Sequence, residues 1–594
     1  MKTIPQRNNR ILSAIMSLFG SAAIWAHLEM SSVEPLLLGI FIAQFFLFSA
    51  AFRCTEKRII LSGAVLGFVF AFFTVLGNLD ALIERRGYAL WTLIRFLGSW
   101  GLYYAVLAVV FEKLSEVTLM ADDVSDRSRE KGVKVFFLSF AVLVVCYMLW
   151  WLNEYPGNTS PDSNSQLLQV LGLAPLSNHH PVASTMWLKL TFTLGLKLFH
   201  GNQNAALALH TFTQLLFMAA CFSYLVYALF ERGVKKYVIY TVLGAFALLP
   251  YHGSYSVTVW KDVPFGGFLL VMCTVLWKLL HDLRSGKKFA LTDIIIFAVS
   301  SLGVCLFRTN GLYSFIVTLP FIIIVFGKRG AKISAAAAVV LLVSVLLTGP
   351  VYSKLHIAPP DFVESLSIPV QQVARVIKDG GTLSPEQEEL LGNVMDITAV
   401  EKTYNEHVSD PIKDLIRSGN PEVLENNKGE FLRLWVDIGL KNPGAYLRAY
   451  IDQTKGYWYP DVSYWSMSTY CEDSDQFEIF KDRLMPESVS LIFSDIGYYL
   501  PKLPFGGLIF SIGLASWTTL GLFTLCIVRK KYRELLFFVP VLATIATLLI
   551  ATPVYAEFRY AYGMFTTLPL LGVIPFVKEK DQKNGQNSRS DPML

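Results

Sequence analysis

Two acidic side chains in one polar segment are the first residues of this sequence whose type and spacing could support chemistry. The segment NEYPGNTSPDSNSQLLQVLG contains Glu154 and Asp162, and its prolines and glycine give it a tight path. A carboxylate within hydrogen-bond reach of a hydroxyl can act as a general base. Asp162 would be held just before a short helix from about residue 163 to 171, so the alternative is that it only caps that helix.

The same polar segment continues into LSNHHPVAST, which contains His179 and His180. Adjacent histidines suggest a metal, but no second cluster of ligands accompanies them. A divalent cation such as Mg²⁺ or Mn²⁺, held by carboxylates, is therefore left open, and no residue is assigned as a metal ligand. The histidine pair is expected to contact substrate, or else to fix the loop through its junction with proline.

Three later polar turns bring cations next to other polar side chains. They contain Lys261 and Asp262 in WKDVPF, Arg308 and Asn310 in RTNG, and Glu557 and Arg559 in AEFRYAYG. Arginine can bind a phosphate bidentately, and lysine contributes a point charge. We therefore predict that Lys261, Arg308 and Arg559 bind a phosphate, and that Asn310 and Glu557 contact substrate. The alternative is mutual pairing, of Asp262 with Arg308 or of Glu557 with Arg559.

Aromatic residues cluster in the window GYWYPDVSYW, residues 456 to 465. If exposed, Tyr457 and Trp458 could stack on the faces of sugars. The alternative is that the window forms a local core or a lip that faces the membrane.

The elements that position these residues must lie in a bilayer. The chain is 53% hydrophobic and only 16% charged, and its mean hydropathy is +0.46. Apolar runs close to the length of a membrane span recur, and in lipid each must be a helix because every backbone polar group needs an internal partner. We predict an all-α polytopic membrane protein with about 14 transmembrane helices. Their approximate ranges are 11–28, 35–53, 59–77, 89–111, 134–152, 205–230, 237–250, 263–280, 291–307, 311–327, 332–352, 505–528, 535–552 and 560–577.

The distribution of lysine and arginine predicts the topology. Basic turns alternate along the chain, which places both termini in the cytoplasm and the four polar segments described above outside it. Residues 183–200 are predicted to form an interfacial helix, because counting them as a span would reverse all later loops. Lys189 and Lys197 fit a helix at the level of the headgroups. The net charge of +5 suggests no nucleic-acid partner, because the cations lie in short loops rather than on one face.

The predicted domain organisation follows from these spans. The units are an N-terminal membrane module of about four helices (1–133), a catalytic membrane core (134–353) with its outer loop (153–204), a mainly helical extracytoplasmic domain (354–504), the helices that complete the core (505–577) and a disordered cytoplasmic tail (578–594). Within the extracytoplasmic domain, Ser384 begins the segment SPEQEELL and precedes Glu386, Glu388 and Glu389, as a helix cap should. Cys471 is alone there, so no disulfide framework is expected.

The motifs YPG, PDS, HHP, WKDVPF, RTNG and EFRY, in this order, resemble those of the C superfamily of glycosyltransferases, which includes protein mannosyltransferases and aminoarabinose transferases. They are more closely similar to a family of uncharacterised bacterial membrane proteins assigned to that superfamily. The likeness covers roughly residues 134 to 577. It implies a polyprenyl-phosphate-linked sugar as donor, an envelope glycan, lipid or protein as acceptor, and inversion at the sugar carbon, outside the cytoplasm at the bacterial plasma membrane.

The resemblance also implies roles for particular residues. Asp162 would be the general base and Asp262 a second carboxylate, with Lys261 and Arg308 near the donor phosphate. The superfamily often has paired acids in its first outer loop, whereas here Glu154 and Asp162 are separated by proline and glycine. Glu154 is therefore an alternative candidate for the general base.

Two other classes of function compete with an enzyme. A transporter or lipid flippase would predict ionisable or Gly/Pro-broken sites near the bilayer midplane and inverted repeats, whereas the charges lie at span ends and no repeat is visible. An envelope assembly or receptor protein that presents residues 354–504 would leave the charges of the short loops unexplained.

Overall fold

The structure is a computed structural model that describes residues 6–28, 30, 34–80, 87–121, 127–462, 464–467, 477–551 and 553–577. Within these residues the regular elements are helices, accompanied by isolated β-bridges such as that between Asn158 and Thr258. The expectation of an all-α membrane protein is thereby confirmed. Cys471 and the predicted tail 578–594 lie outside the described residues.

Eight of the described helices are long and apolar enough to cross a membrane. They are Asn9–His27, Lys57–Gly77, Tyr88–Ser115, Arg129–Asn153, Gln203–Glu231, Asp262–Arg284, Thr309–Phe326 and Lys328–Lys354. Five shorter apolar helices are Leu36–Ala51, Lys236–Leu248, Leu291–Phe307, Ile512–Val528 and Val539–Ile550. The last predicted span, 560–577, overlaps the helix Phe558–Val573, of 16 residues, which belongs to neither group. The predicted number of 14 spans is therefore not confirmed.

The first helices pack through small residues. A Cβ on Gly98 would lie 2.2 Å from the carbonyl oxygen of Phe19, and one on Gly67 would lie 2.9 Å from the backbone nitrogen of Tyr104. Close backbone approach of this kind is typical of helices that associate in lipid. These helices share an apolar cluster that also includes Leu525 and Val528, so they pack against the helix Ile512–Val528.

The centre of the molecule is built around two helices, Gln203–Glu231 and Asp262–Arg284, which are buried along most of their length. At one end of the second helix, Arg284 makes a bidentate ion pair with Glu534, at 2.6 and 3.0 Å. Lys278 of the same helix lies between Glu231 and Asp293. Such pairs compensate charges that would be costly if buried alone.

The polar region between the membrane helices has a core of its own. Its helices are Ser367–Lys378, Pro385–Gly392, Ile397–Thr403, Asp410–Ser418, Pro421–Asn426, Lys428–Lys441, Pro443–Thr454 and Glu487–Tyr499. The buried residues of this core run from Val363 to Ile438. Ile451 belongs instead to the main core of the membrane region. Ala445 and Tyr446 of the same helix, Pro443–Thr454, pack against the core of the polar region. This helix therefore contacts both cores.

Two further helices lie between the spans Arg129–Asn153 and Gln203–Glu231. They are Pro161–Val170 and Val182–Leu198, close to the ranges predicted for the short helix and for the interfacial helix. The second helix exposes Leu190, Leu194 and Leu198 beside Lys189 and Lys197. An apolar stripe flanked by lysines is the pattern of a helix at the headgroup level.

Candidate functional site

The path of the first polar loop depends on Gly157. Its φ is +142°, and an added Cβ would lie 2.4 Å from Cγ2 of Thr211 and 2.9 Å from the carbonyl oxygen of Val257. Thr211 also donates a hydrogen bond to the carbonyl oxygen of Pro156, at 2.8 Å. Only glycine fits this conformation and this space.

The first loop is bonded to the turn that carries Lys261. Asn158 donates its backbone N–H to Val257 and accepts one from Val259, at 3.0 and 2.9 Å. The Ser163 hydroxyl donates to the carbonyl oxygen of Val259, at 2.8 Å, and the Trp260 indole donates to Oγ of Ser160, at 2.9 Å. These bonds place the start of the helix Pro161–Val170 beside the start of the helix Asp262–Arg284.

Asp162 lies in the first turn of its helix, whose N-cap is Ser160. Its Oδ2 atom is 3.0 Å from Nη1 of Arg559 and 3.8 Å from Nζ of Lys261. Burial alone would raise the pKa of this carboxyl, but the charges of Lys261 and Arg559 lower the pKa well below its usual range. The side chain is nevertheless 33% exposed. Asp162 is thus an ionised, accessible carboxylate between two cations, and it does not cap the helix.

His180 holds Lys261 in place. Nδ1 of His180 is 3.0 Å from Nζ of Lys261, and because an ammonium group can only donate, this nitrogen accepts. Burial and the nearby Lys261 charge lower the pKa of His180 to about 3, so the imidazole is neutral. His179 is exposed, with its ring centre 4.7 Å from that of His180.

The guanidinium group of Arg559 contacts two carboxylates and two aromatic rings. Besides Asp162, its guanidinium contacts Glu557, with Nε 3.4 Å from Oε1. The carbon of the guanidinium lies 5.2 Å from the Trp260 ring centre and 5.1 Å from that of Tyr560, within the range of cation–π attraction. Burial raises the pKa of Glu557 to about 7, against the opposing effect of Arg559. Glu557 is therefore a carboxyl that can take up a proton near neutral pH.

Asp262 and Arg308 form a buried ion pair beside this cluster. Nη1 of Arg308 is 2.6 Å from Oδ1 of Asp262, and it donates to the carbonyl oxygen of Tyr560, at 2.9 Å. The Asp262 side chain is only 1% exposed. Both pairings that the sequence left open, Asp262 with Arg308 and Glu557 with Arg559, are present.

Glu154 does not join the Asp162 cluster through any of its described contacts. It is fully buried and forms an ion pair with Lys481, and Asn153 donates to it. Burial raises the pKa of Glu154, and the charge of Lys481 opposes this effect. Lys481 also donates to Asn158, at 3.4 Å, so this ion pair ties a later segment to the first loop.

Three other predicted substrate contacts are placed elsewhere. Asn310 donates its side-chain N–H to the hydroxyl of Thr547, at 3.1 Å. Tyr457 is buried and donates its hydroxyl to the carbonyl oxygen of Val554, at 2.8 Å. Trp458 is also buried. The Trp458 indole donates to the hydroxyl of Thr454, at 3.1 Å. The two aromatic residues thus pack in the core, which is the alternative that the sequence left open.

The structure adds aromatic residues that the motif search did not single out. Trp260 and Tyr560 cover the faces of Arg559, and Trp465 has its ring centre 6.1 Å from that of Trp260. Trp260 lies in the motif WKDVPF and Tyr560 in AEFRYAYG, each next to a residue considered for the site. Trp465 is the last residue of the aromatic window. For Trp260 and Tyr560, the neighbouring cations Lys261 and Arg559 could have drawn attention to them, and for Trp465 its place in the aromatic window.

Among the described residues, no group of three or more His, Cys, Asp or Glu side chains is arranged to hold a metal ion.

The fold and the charged cluster define an all-helical membrane protein with a polar site at the ends of its helices. The chain belongs to DUF6020, a family of unknown function, whose model matches residues 172–590. The matched range includes Lys261 and Arg559 but begins after Asp162. No curated protein and no solved structure matches the chain.

Proposed function

We propose that this protein is a membrane glycosyltransferase that moves a sugar from a polyprenyl-phosphate carrier to a hydroxyl group of a cell-envelope acceptor. The acceptor is a glycan, lipid or protein, and transfer takes place on the extracytoplasmic face of the bacterial plasma membrane. The observation that supports the proposal is the accessible carboxylate of Asp162, with Lys261 and Arg559 on the same oxygen atom. A base and two phosphate-binding cations thus lie within one cluster.

In the proposed reaction, Asp162 accepts the proton of the acceptor hydroxyl. The oxygen of that hydroxyl attacks the anomeric carbon of the sugar. The bond between that carbon and the phosphate oxygen breaks, and the electron pair leaves with the phosphate. Arg559 and Lys261 stabilise the charge that develops on the leaving group. Attack opposite to the phosphate inverts the configuration of the anomeric carbon.

The cations Lys261 and Arg559 also make the base strength of Asp162 depend on whether the donor is bound. In the free protein they keep the pKa of Asp162 low, which makes it a weak base. A donor phosphate bound by Lys261 and Arg559 would offset their charge, and the pKa of Asp162 would rise toward its ordinary value. Asp162 would therefore become an effective base only when the donor is bound.

The buried pair of Asp262 and Arg308 holds the segments of Lys261 and Arg559 together. Arg308 donates to the backbone of Tyr560, the residue after Arg559, and Asp262 directly follows Lys261 in the chain. The pair therefore links the two segments that supply the phosphate-binding cations. We assign it a positioning role rather than direct contact with substrate, since both side chains are buried.

Sugar transfer by the purified protein in nanodiscs, from a panel of radiolabelled polyprenyl-phosphate sugars, tests the proposal. We expect one donor to be turned over and the Asp162→Asn variant to lose about 10²- to 10⁴-fold in rate. The matched control is Asp379→Asn, which removes another carboxylate that is 35% exposed and paired with an arginine but lies in the polar region. The control should keep the wild-type rate.

One outcome of this experiment would contradict the proposal. If no donor is turned over, while the reconstituted protein moves a polyprenyl-phosphate lipid across a vesicle bilayer, the glycosyltransferase proposal is wrong. The protein would then be a lipid transporter.

A further inference from the structure

Trp465 presents an exposed aromatic ring beside the charged cluster. Its side chain is 43% exposed, and its ring centre is 6.1 Å from that of the buried Trp260. Trp260 in turn covers a face of Arg559, which contacts Asp162. A continuous series of contacts therefore joins this exposed indole to the proposed base.

The segment that carries Trp465 is held on both sides. The preceding residue, Tyr464, packs edge to face on Tyr555, with ring centres 5.6 Å apart. The carbonyl oxygen of the following residue, Ser466, accepts a hydrogen bond from the buried hydroxyl of Tyr255, at 2.8 Å. Since its neighbours are fixed, the ring is presented in a defined position. Preorganised aromatic side chains of this kind lose little entropy on binding a ligand.

The surroundings of the ring define the ligand that it would suit. An indole offers a flat apolar face, and the cluster on the other side of Trp260 offers the carboxylate of Asp162 and the partly exposed cations Lys261 and Arg559. A pyranose ring has one apolar face of C–H groups and an edge of hydroxyls that donate and accept hydrogen bonds. A phosphate alone would use the cations but not the indole. A polyprenyl chain could contact the indole, but it has no hydroxyl group that could donate to Asp162.

We propose that Trp465 is a sugar-binding residue, which stacks on the apolar face of the transferred sugar while the phosphate of the donor lies at Lys261 and Arg559. This assignment rests on the proposed function and names the part of the donor that the aromatic window recognises. It replaces Tyr457 and Trp458, the buried members of the same window, in that role.

The test compares two lipids and measures their binding to full-length protein in nanodiscs. One is polyprenyl phosphate, and the other is the polyprenyl-phosphate sugar that the wild type turns over. We expect Trp465→Ala to weaken binding of the sugar-bearing lipid by roughly tenfold and to leave binding of the sugar-free lipid unchanged. Trp465→Phe, which keeps a flat ring, should recover most of the loss.

Tyr499→Ala provides a matched control, since it removes another exposed aromatic side chain, 55% exposed, from the polar region. It should alter binding of neither lipid. Equal weakening of both lipids by Trp465→Ala would overturn the assignment and indicate that the ring contacts the membrane or supports Arg559. Unchanged binding of both would also overturn it.

The result separates this inference from the proposed function. If the wild type transfers sugar and Trp465→Ala binds the donor normally, only the role of Trp465 is wrong. If the wild type turns over no donor of the panel, the proposed function fails, and the sugar-binding role of Trp465 fails with it.

Discussion

Glu154 and Asp162 lie in the same loop, yet their surroundings are opposite. Glu154 is fully buried against Lys481, whereas Asp162 is one-third exposed between two cations. A group that accepts a proton from an acceptor must be reachable by it. In the proposed reaction, the burial of Glu154 therefore favours Asp162 as the base.

The first prediction separates these two acids. Glu154→Gln should lower the thermal midpoint of unfolding by several degrees, because the ion pair of the fully buried Glu154 with Lys481 would be lost. The turnover of protein that remains folded should stay within about threefold of wild type, in contrast to the loss expected for Asp162→Asn. Scanning fluorimetry and transfer assays on the same preparations measure both. A folded Glu154→Gln protein without activity would instead identify Glu154 as the base.

The second prediction concerns Glu557, whose pKa is raised by burial from its ordinary 4.5 to about 7. Between these values the folded protein keeps a proton that the unfolded chain has released, so stability falls as pH rises through this window and levels off above it. We expect the thermal midpoint to drop between pH 5 and pH 8 by roughly 2 to 4 °C more in the wild type than in Glu557→Gln. Parallel curves for the two proteins would show that Glu557 does not titrate in this range.

At the scale of elements, the loop conformation before the helix Pro161–Val170 determines where Asp162 lies. Gly157 is wedged against Thr211 and Val257, whereas Gly172, with a φ of +74°, has open space around it. Gly157→Ala should therefore reduce both stability and activity, while Gly172→Ala carries only the backbone strain of a left-handed residue. Unfolding and transfer assays on the pair measure the difference. Equal effects of the two substitutions would show that the close packing of Gly157 is unimportant.

The hydrogen bond between two elements, from the Trp260 indole to Ser160, gives a further prediction. Trp260→Phe keeps a ring against Arg559 but removes this 2.9 Å bond, which leaves the start of the helix that carries Asp162 with fewer bonds to this turn, among them that from Ser163 to Val259. We expect kcat to fall roughly tenfold with little change in KM. Trp517→Phe is the matched control, because it removes an indole bond of 2.8 Å, to Trp458, outside the charged cluster. A similar fall in kcat in both variants would point to general destabilisation.

At the scale of the whole molecule, the proposal requires the polar region and the charged cluster to lie on the extracytoplasmic side. Single cysteines at two exposed positions, Glu401→Cys and Lys287→Cys, test this in a background without native cysteines. We expect a membrane-impermeant maleimide to label the first in intact cells and the second only after lysis. The reverse pattern would place the cluster in the cytoplasm and contradict transfer to an envelope acceptor.

Composition and periodicity by themselves determined that this is an all-helical membrane protein, because long apolar runs can satisfy their backbone only as helices in lipid. The motifs also indicated which short segments carry charges, and the possible pairs of Asp262 with Arg308 and of Glu557 with Arg559. The number of spans did not follow from hydropathy, because helices such as Phe558–Val573 are short and largely buried by protein. For such helices, hydropathy does not separate a membrane span from a helix of the core.

Only the tertiary structure decided which of these charges meet. Asp162 and Arg559 are 397 positions apart, and their contact results from packing of the first loop against two later helices, which no local pattern encodes. The same packing buried Glu154, Tyr457 and Trp458 and left Trp465 exposed. Burial depends on which surfaces the helices present to each other, and this is a property of the assembled molecule rather than of any single segment.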